Sequence, residues 1–302
     1  MAAAFAAIYL IWGSTYLGIR FAIETLPPFL MAAIRFLIAG TLLYTRARLR
    51  GAPPGTRVQW RDAAILGGLM LLGGNGGVTW AEQRVPSGLA ALLIATIPLW
   101  MVVLDALRPG GAWPGRRVTF GVGMGLIGIL LLIGPGQITG SRSIDTLGAA
   151  VLLFAALSWA IGSLYVRRAQ LPAAPLQGTA MEMLAGSLWL FLAGGVSGEW
   201  GRLDLASVSV RSWMALGYLV VFGSIIAFSA YVWLLRVSTP ARASTYAFVN
   251  PVVAVFLGWA LADEPLTAQT LLAAAVIVAA VAMITTGRSS AQPNENRHRE
   301  SH

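Results

Sequence analysis

The stretch AAAFAAIYLIWGSTYLGIRFAI, Ala2 to Ile23, carries a single charge, Arg20, in 22 residues. A helix rising 1.5 Å per residue needs about 20 mostly apolar residues to cross a hydrocarbon core of about 30 Å. The stretch therefore reads as a membrane-spanning helix. Cutting the rest of the chain at charged, Pro-rich or Gly-rich breaks gives nine more of the same kind. They run Pro27 to Thr45, Ala63 to Gln83, Pro86 to Ala106 and Val118 to Gly134, then Leu147 to Val166, Pro175 to Val196, Trp213 to Leu235, Pro240 to Ala262 and Leu266 to Thr286. The expected fold is all-α and integral to a membrane, with ten transmembrane helices. Composition agrees: 57% of the 302 residues are hydrophobic and 11% charged, whereas about a quarter of a soluble domain is charged. Only Arg46 to Arg61 makes a loop of any size, which leaves no room for a soluble catalytic domain. Residues 287–302 form a polar tail, expected to be disordered.

The net charge of +9 comes from 21 basic residues, all arginines. A nucleic-acid partner would need them clustered on one face or arm, but here they punctuate apolar segments, as topology signals do. Arg46, Arg48, Arg50, Arg57 and Arg61 mark one side, joined by Arg108, Arg116, Arg117, Arg167, Arg168, Arg236, Arg242 and the tail arginines. The other side holds Arg20, Arg84, Arg142, Arg202 and Arg211, offset by acids. The positive-inside rule then puts both termini in the cytoplasm. Cysteine is absent and both histidines lie in the tail, so no metal site, thiol chemistry or Ser/His catalysis is expected among the spans, and no cofactor is called for. The apolar start lacks a basic leader, which favours a first span over a cleaved signal peptide.

Sliding the chain by 147 positions puts Trp12 on Trp159, Arg20 on Arg167, Pro28 on Pro175 and Arg35 on Glu182. An offset of 153 puts Pro98 on Pro251. Two repeats are expected, residues 1–137 and 144–286, each of five spans. An odd number of spans makes the second enter from the opposite side, an inverted repeat of the kind transporters use.

The residues also resemble the drug/metabolite transporter superfamily, specifically its EamA-type members and the YedA-like subgroup. The resemblance lies in Ile11-Trp12-Gly13-Ser14-Thr15-Tyr16, Arg35-Phe36, Gly74-Asn75-Gly76 and Val85-Pro86-Ser87-Gly88, then in Phe222-Gly223-Ser224, Tyr246 to Val252 and the pair Asp263-Glu264. The match departs after the fourth span, where Leu107-Arg108-Pro109-Gly110 stands in place of an acid. The resemblance implies helices 1, 3, 4, 6, 8 and 9 around a central cavity. It also implies export of amino acids or other small metabolites, in some members driven by protons.

Trp12 and Trp159 each sit about ten residues into a span, about 15 Å deep. At that depth they read either as an aromatic floor for an apolar or cationic substrate or as filling at a helix interface. Thr15 and Tyr16 offer hydroxyls beside Trp12, and Asn75, Tyr246 and Asn250 are further substrate-binding candidates. Pro98 and Pro251 each remove a backbone hydrogen bond inside a span and are expected hinges. Arg35 and Glu182 are charges deep inside spans, costly there unless paired or used. They are expected as a coupling pair or ion lock, while Glu82 beside Trp80 reads as a solvated mouth. Gly121 and Gly125 form a small-residue face that serves either a homodimer or packing within the chain. The expected function is a secondary transporter of a small metabolite, an amino acid, amine or drug-like compound, in a bacterial inner membrane, with protons a candidate coupling ion. A binding protein without flux and an intramembrane lipid enzyme are the competing readings, the last short of clustered nucleophiles and acids.

Overall fold

The computed structural model describes residues 1–107, 115–139, 145–166, 168–227, 229–231, 234 and 246–288. In chain order the helices are α1 (Ala2–Ala22), α2 (Pro28–Leu49), α3 (Arg57–Ala81), α4 (Ser87–Ile94), α5 (Ile97–Leu107), α6 (Arg116–Thr139), α7 (Thr146–Tyr165), α8 (Pro175–Val196), α9 (Val210–Tyr231), α10 (Tyr246–Ala262) and α11 (Ala268–Arg288). Among the described residues, six helices are long and apolar enough to cross a membrane: α1, α2, α3, α7, α8 and α9. Three shorter apolar runs, Ser87–Met101, Val249–Ala262 and Ala268–Ala280, accompany them. Phe120, Phe154 and Leu188 stand about 60% exposed on the outer faces (62%, 61% and 61%). Such faces would drive aggregation in water and are at home against lipid.

Apolar counting and helix ends differ because helices run past the hydrocarbon. α2 continues to Leu49, beyond the expected Thr45, and carries Arg46 and Arg48 in its last turn. α3 starts at Arg57, ahead of the expected Ala63, on a reciprocal cap: Thr56 Oγ1 accepts from Gln59 N, and Gln59 Oε1 from Thr56 N. The expected fourth span divides into α4 and α5 at Ala95 and Thr96. Pro98 has no N–H to give the Ile94 carbonyl, and Thr96 turns back instead, its N and Oγ1 both donating to Leu93 O. Of Pro98 only the backbone is described. Arg108, Arg142, Arg167, Arg236, Arg242, Arg297 and Arg299 lie outside the described residues.

α2 packs along α8, and α6 along α11, more extensively than other pairs. α3 lies against α7 and α8, α9 against α1 and α2, and α10 against α1 and α4. Glycines let backbones meet at the closest crossing: a Cβ on Gly67 would lie 2.6 Å from Gly186 N and 2.9 Å from Glu182 O. On α6, Gly121 is buried and Gly125 turns inward, where a Cβ would meet Leu99 Cδ1 at 2.8 Å. That small-residue face is occupied within the chain.

Remote carboxylates complete helix starts whose own caps are prolines. α2 follows Pro27 and α4 follows Pro86, neither of which offers a side-chain acceptor. Glu199, 1% exposed, accepts from Leu30 N (2.9 Å) and Phe29 N (3.3 Å). Burial pushes its carboxyl above the usual range despite those two donors. Glu264 accepts from Ser87 N (2.7 Å) and Gly88 N (3.0 Å), joining the start of α4 to the loop between α10 and α11. Glu264→Ala is expected to lower stability by about 0.5–2 kcal/mol, the usual worth of an N-cap. Thermal unfolding in detergent checks this, with Glu264→Gln, which keeps one acceptor of the two used, losing only part of that stability.

Candidate functional site

Three helices carry runs in which backbone bonding widens to i→i+5: Ile8–Trp12 in α1, Gly67–Gly76 in α3 and Leu219–Ile226 in α9. Such runs shift side chains around the helix axis and recur at functional sites. Here they carry Trp12, Gly74 with Asn75, and Gly223 with Ser224. The first two place their side chains at one cavity, and the third closes the wall behind it.

The cavity holds about 680 Å³ of empty space, part of it open to the outside. α1 contributes Trp12, Thr15, Tyr16 and Ile19, α2 contributes Arg35, and α3 contributes Gly74, Asn75 and Val78. Ile94 and Ile97 come from either side of the α4/α5 break, Ala155 and Trp159 from α7, and Tyr246 and Asn250 from α10. All seven residues expected to bind substrate therefore meet around one space, together with Arg35.

Four aromatic residues, Trp12, Tyr16, Trp159 and Tyr246, are among the lining. The Trp12 ring lies 5.1 Å from both Tyr231 and Tyr246, and those two tyrosines stand edge to face at 5.9 Å. Trp12 Nε1 donates to Gly223 O (3.2 Å), which fixes the indole against the widened run of α9. Trp159 opposes it from α7, with Gly74 beside the ring: a Cβ there would lie 2.8 Å from Trp159 Cε3. Among the polar groups, Thr15 Oγ1 is spent on Trp12 O (2.6 Å). Asn250, with its amide turned to suit its surroundings, donates to the carbonyls of Tyr9 and Tyr246, each at 3.2 Å. The Tyr16 hydroxyl and Trp159 Nε1 make no hydrogen bond with a described residue and are at the cavity's disposal.

Arg35 is 5% exposed, and its Nε donates to Ser224 Oγ (2.8 Å). No hydrogen bond or ion pair joins it to Glu182, which lies away from the cavity lining with Oε1 buried and unpartnered. The two charges share the α2–α8 helix pair but not a bond. Glu82, expected at a solvated mouth, is instead fully buried, with neither carboxyl oxygen hydrogen-bonded to a described residue. Packing at the end of α3 covers it, and Arg20 Nη1 takes its backbone carbonyl (2.7 Å) rather than its carboxyl. Pro251 lies inside α10 next to Asn250, so one expected hinge adjoins the site.

Sequence reasoning missed Tyr231, Gly223 and Ser224 as site residues. Phe222-Gly223-Ser224 was a visible signal. A Cβ on Gly223 would lie 3.0 Å from both Arg35 Nη2 and Thr15 Cγ2, so the glycine makes room for the guanidinium. Tyr231 had no such signal, since a tyrosine near the end of an apolar span reads as an interface residue. Asp62, 1% exposed, was also missed. It accepts from Arg61, Tyr165 Oη (3.1 Å) and Gln170 N (2.7 Å), tying the start of α3 to the end of α7.

The sequence model of the EamA-like transporter family matches residues 1–134 and 146–286. Over 283 residues the chain is 44% identical to the uncharacterized inner membrane transporter YedA of Escherichia coli (strain K12), covering 93% of this chain and 89% of that one. It is 24% identical to the uncharacterized transporter YoaV of Bacillus subtilis (strain 168), covering 92% and 94%. It is 26% identical to a chloroplastic WAT1-related protein of Arabidopsis thaliana, covering 91% and 67%. A solved crystal structure of a protein 22% identical matches with a TM-score of 0.63 over 94% of this chain and 95% of its own, which shows a shared fold.

Proposed function

The chain belongs to the EamA-like transporter family, and from that premise we propose that this inner-membrane transporter exports a small metabolite by alternating access around the aromatic cavity. The observation that carries the reading is the meeting of Trp12 and Trp159, 147 positions apart, at one cavity with Asn75, Tyr246 and Asn250. Ten spans in two inverted repeats, residues 1–137 and 144–286, with both termini cytoplasmic, make up the moving parts. The helix pairings support this arrangement. Exchanging the repeats turns the α3–α7 contact into α9–α1, and α3–α8 into α9–α2, while α2–α8 and α6–α11 map onto themselves. Elements related in this way can swap roles, so a cavity closed toward one side can open toward the other.

Amino acids, amines and drug-like compounds are the candidate substrates. Where protons drive transport, Glu82 and Glu182 are the candidate carriers, and Glu82 is favoured because both its carboxyl oxygens are buried without a described partner, with Glu264 and Arg20 as charged neighbours. In proteoliposomes, Trp159→Ala and Trp12→Ala are each expected to lower flux by roughly tenfold, the equivalent of about 1.4 kcal/mol of lost contact. Glu82→Gln is expected to leave downhill flux in place and remove its acceleration by a pH gradient. Wild-type flux in both tryptophan variants would move the substrate path away from this cavity.

A further inference from the structure

We infer that the cavity recognises an organic carboxylate with an aromatic or large apolar body, and that Arg35 is its counter-ion. The inference rests on the cavity being the transport site and names the class of substrate it takes. Arg35 brings a guanidinium that keeps its charge at neutral pH into an interior where an uncompensated charge is costly. Among the described residues no carboxylate pairs with it, and the face it meets is the Phe36 ring, 4.9 Å from Cζ. The ion pairs among the described residues are Arg61 with Asp62, Arg84 with Asp145, and Arg211 with Glu24. Glu182 on the facing helix makes no bond to it, and no acidic residue lines the cavity.

The geometry of the guanidinium points the same way. Nε is taken by Ser224 Oγ, which orients the fork, while Nη1 and Nη2 make no hydrogen bond with a described residue. Arg35 also lines the cavity, and two terminal nitrogens left without a bonded partner among the described residues are the paired donors that a carboxylate accepts side by side. Gly223 makes room for the guanidinium itself, because a Cβ there would lie 3.0 Å from Nη2. Around the cation the walls are Trp12, Tyr16, Trp159 and Tyr246, surfaces that pack a flat apolar body. An amine or cationic drug would find aromatic faces as well, but it would sit beside Arg35 with no carboxylate to offset the repulsion. A phosphate ester would ask for more cations than Arg35, the one cation among the described lining residues, supplies.

Three probes of one shape separate these classes: 3-phenylpropanoate, 3-phenylpropanamide and 3-phenylpropylamine, titrated against the purified protein in detergent by tryptophan fluorescence and thermal shift. The carboxylate is expected to bind at least roughly tenfold more tightly than the amide, a gap of about 1.4 kcal/mol, and the amine more weakly still. Arg35→Gln should bind the carboxylate and the amide alike, Arg35→Lys should restore part of the preference, and Ser224→Ala should reduce it by loosening the guanidinium. Equal binding of carboxylate and amine by the wild type, binding of none of the three at millimolar concentration, or an unchanged preference in Arg35→Gln would each overturn the inference. Should Arg35→Gln fail to fold, the wild-type ranking and Ser224→Ala still decide. Binding is read without a membrane. A carboxylate preference with no flux in proteoliposomes would therefore sink the transport reading and leave the anion site standing.

Discussion

Gly74→Leu is expected to cut transport sharply while leaving the helices folded. Gly74 sits on the widened run of α3 and faces Trp159 across the cavity wall. The first added carbon would lie 2.8 Å from Trp159 Cε3, closer than van der Waals contact, so the indole must move toward the cavity. The remaining carbons of leucine then take up space that substrate needs. Because the displaced group is a side chain beside an open volume, the stability cost stays near the low end of the usual 1–3 kcal/mol for overpacking, about 1 kcal/mol. Flux in proteoliposomes should fall by at least roughly tenfold, a barrier change of about 1.4 kcal/mol or more, with an unchanged helical circular dichroism spectrum and elution profile. Normal flux in a folded Gly74→Leu protein would show that substrate passes elsewhere.

Gly67→Val is expected to act on the fold rather than on the path. Here the atoms within reach of an added Cβ are main chain: Gly186 N at 2.6 Å, and Glu182 O and Gly186 Cα at 2.9 Å. Backbone cannot rotate out of the way, so α3 and α8 must separate along the contact that buries Leu71 and Met181. The loss is about 3 kcal/mol or more, the upper end for overpacked sites. Gly68→Val, where an added Cβ would approach Trp189 no closer than 3.6 Å, is the matched control. Gly186→Ala should fall between them, since its nearest obstacle is the Leu71 side chain at 2.6 Å. Thermal unfolding and the yield of monodisperse protein report the order, and equal behaviour of the Gly67 and Gly68 variants would contradict it.

The apolar segments and their spacing were legible in the sequence because lipid imposes a length on each span. The tryptophans were legible because depth can be counted: Trp12 and Trp159 lie too far from either end to belong to an interfacial belt, and both reach the cavity. The arrangement of the charges was harder to read. Arg35 and Glu182 coincide in the repeat, yet Arg35 bonds Ser224 on a third helix, a partner set by how α9 leans on α2. Glu82 follows Trp80 and precedes Gln83 and Arg84, a string that looks like a surface, and its burial comes from neighbours remote in sequence. Glu264 was visible only as half of the pair Asp263-Glu264, whereas it caps a helix 177 residues away. The widened runs left no trace in composition either, since Gly67–Gly76 reads equally well as a close-packing face.

Because the chain contains no cysteine, a single introduced thiol reports on one position without background. The most direct test places it at Val78, on the cavity wall and 7% exposed, and for comparison at Phe154, on the outer face. In sealed membrane vesicles, a small charged methanethiosulfonate is predicted to modify Val78→Cys, to abolish its transport, and to spare Phe154→Cys. A Val78→Cys protein that transports normally and resists the reagent as fully as Phe154→Cys would contradict a water-filled substrate path between the two halves.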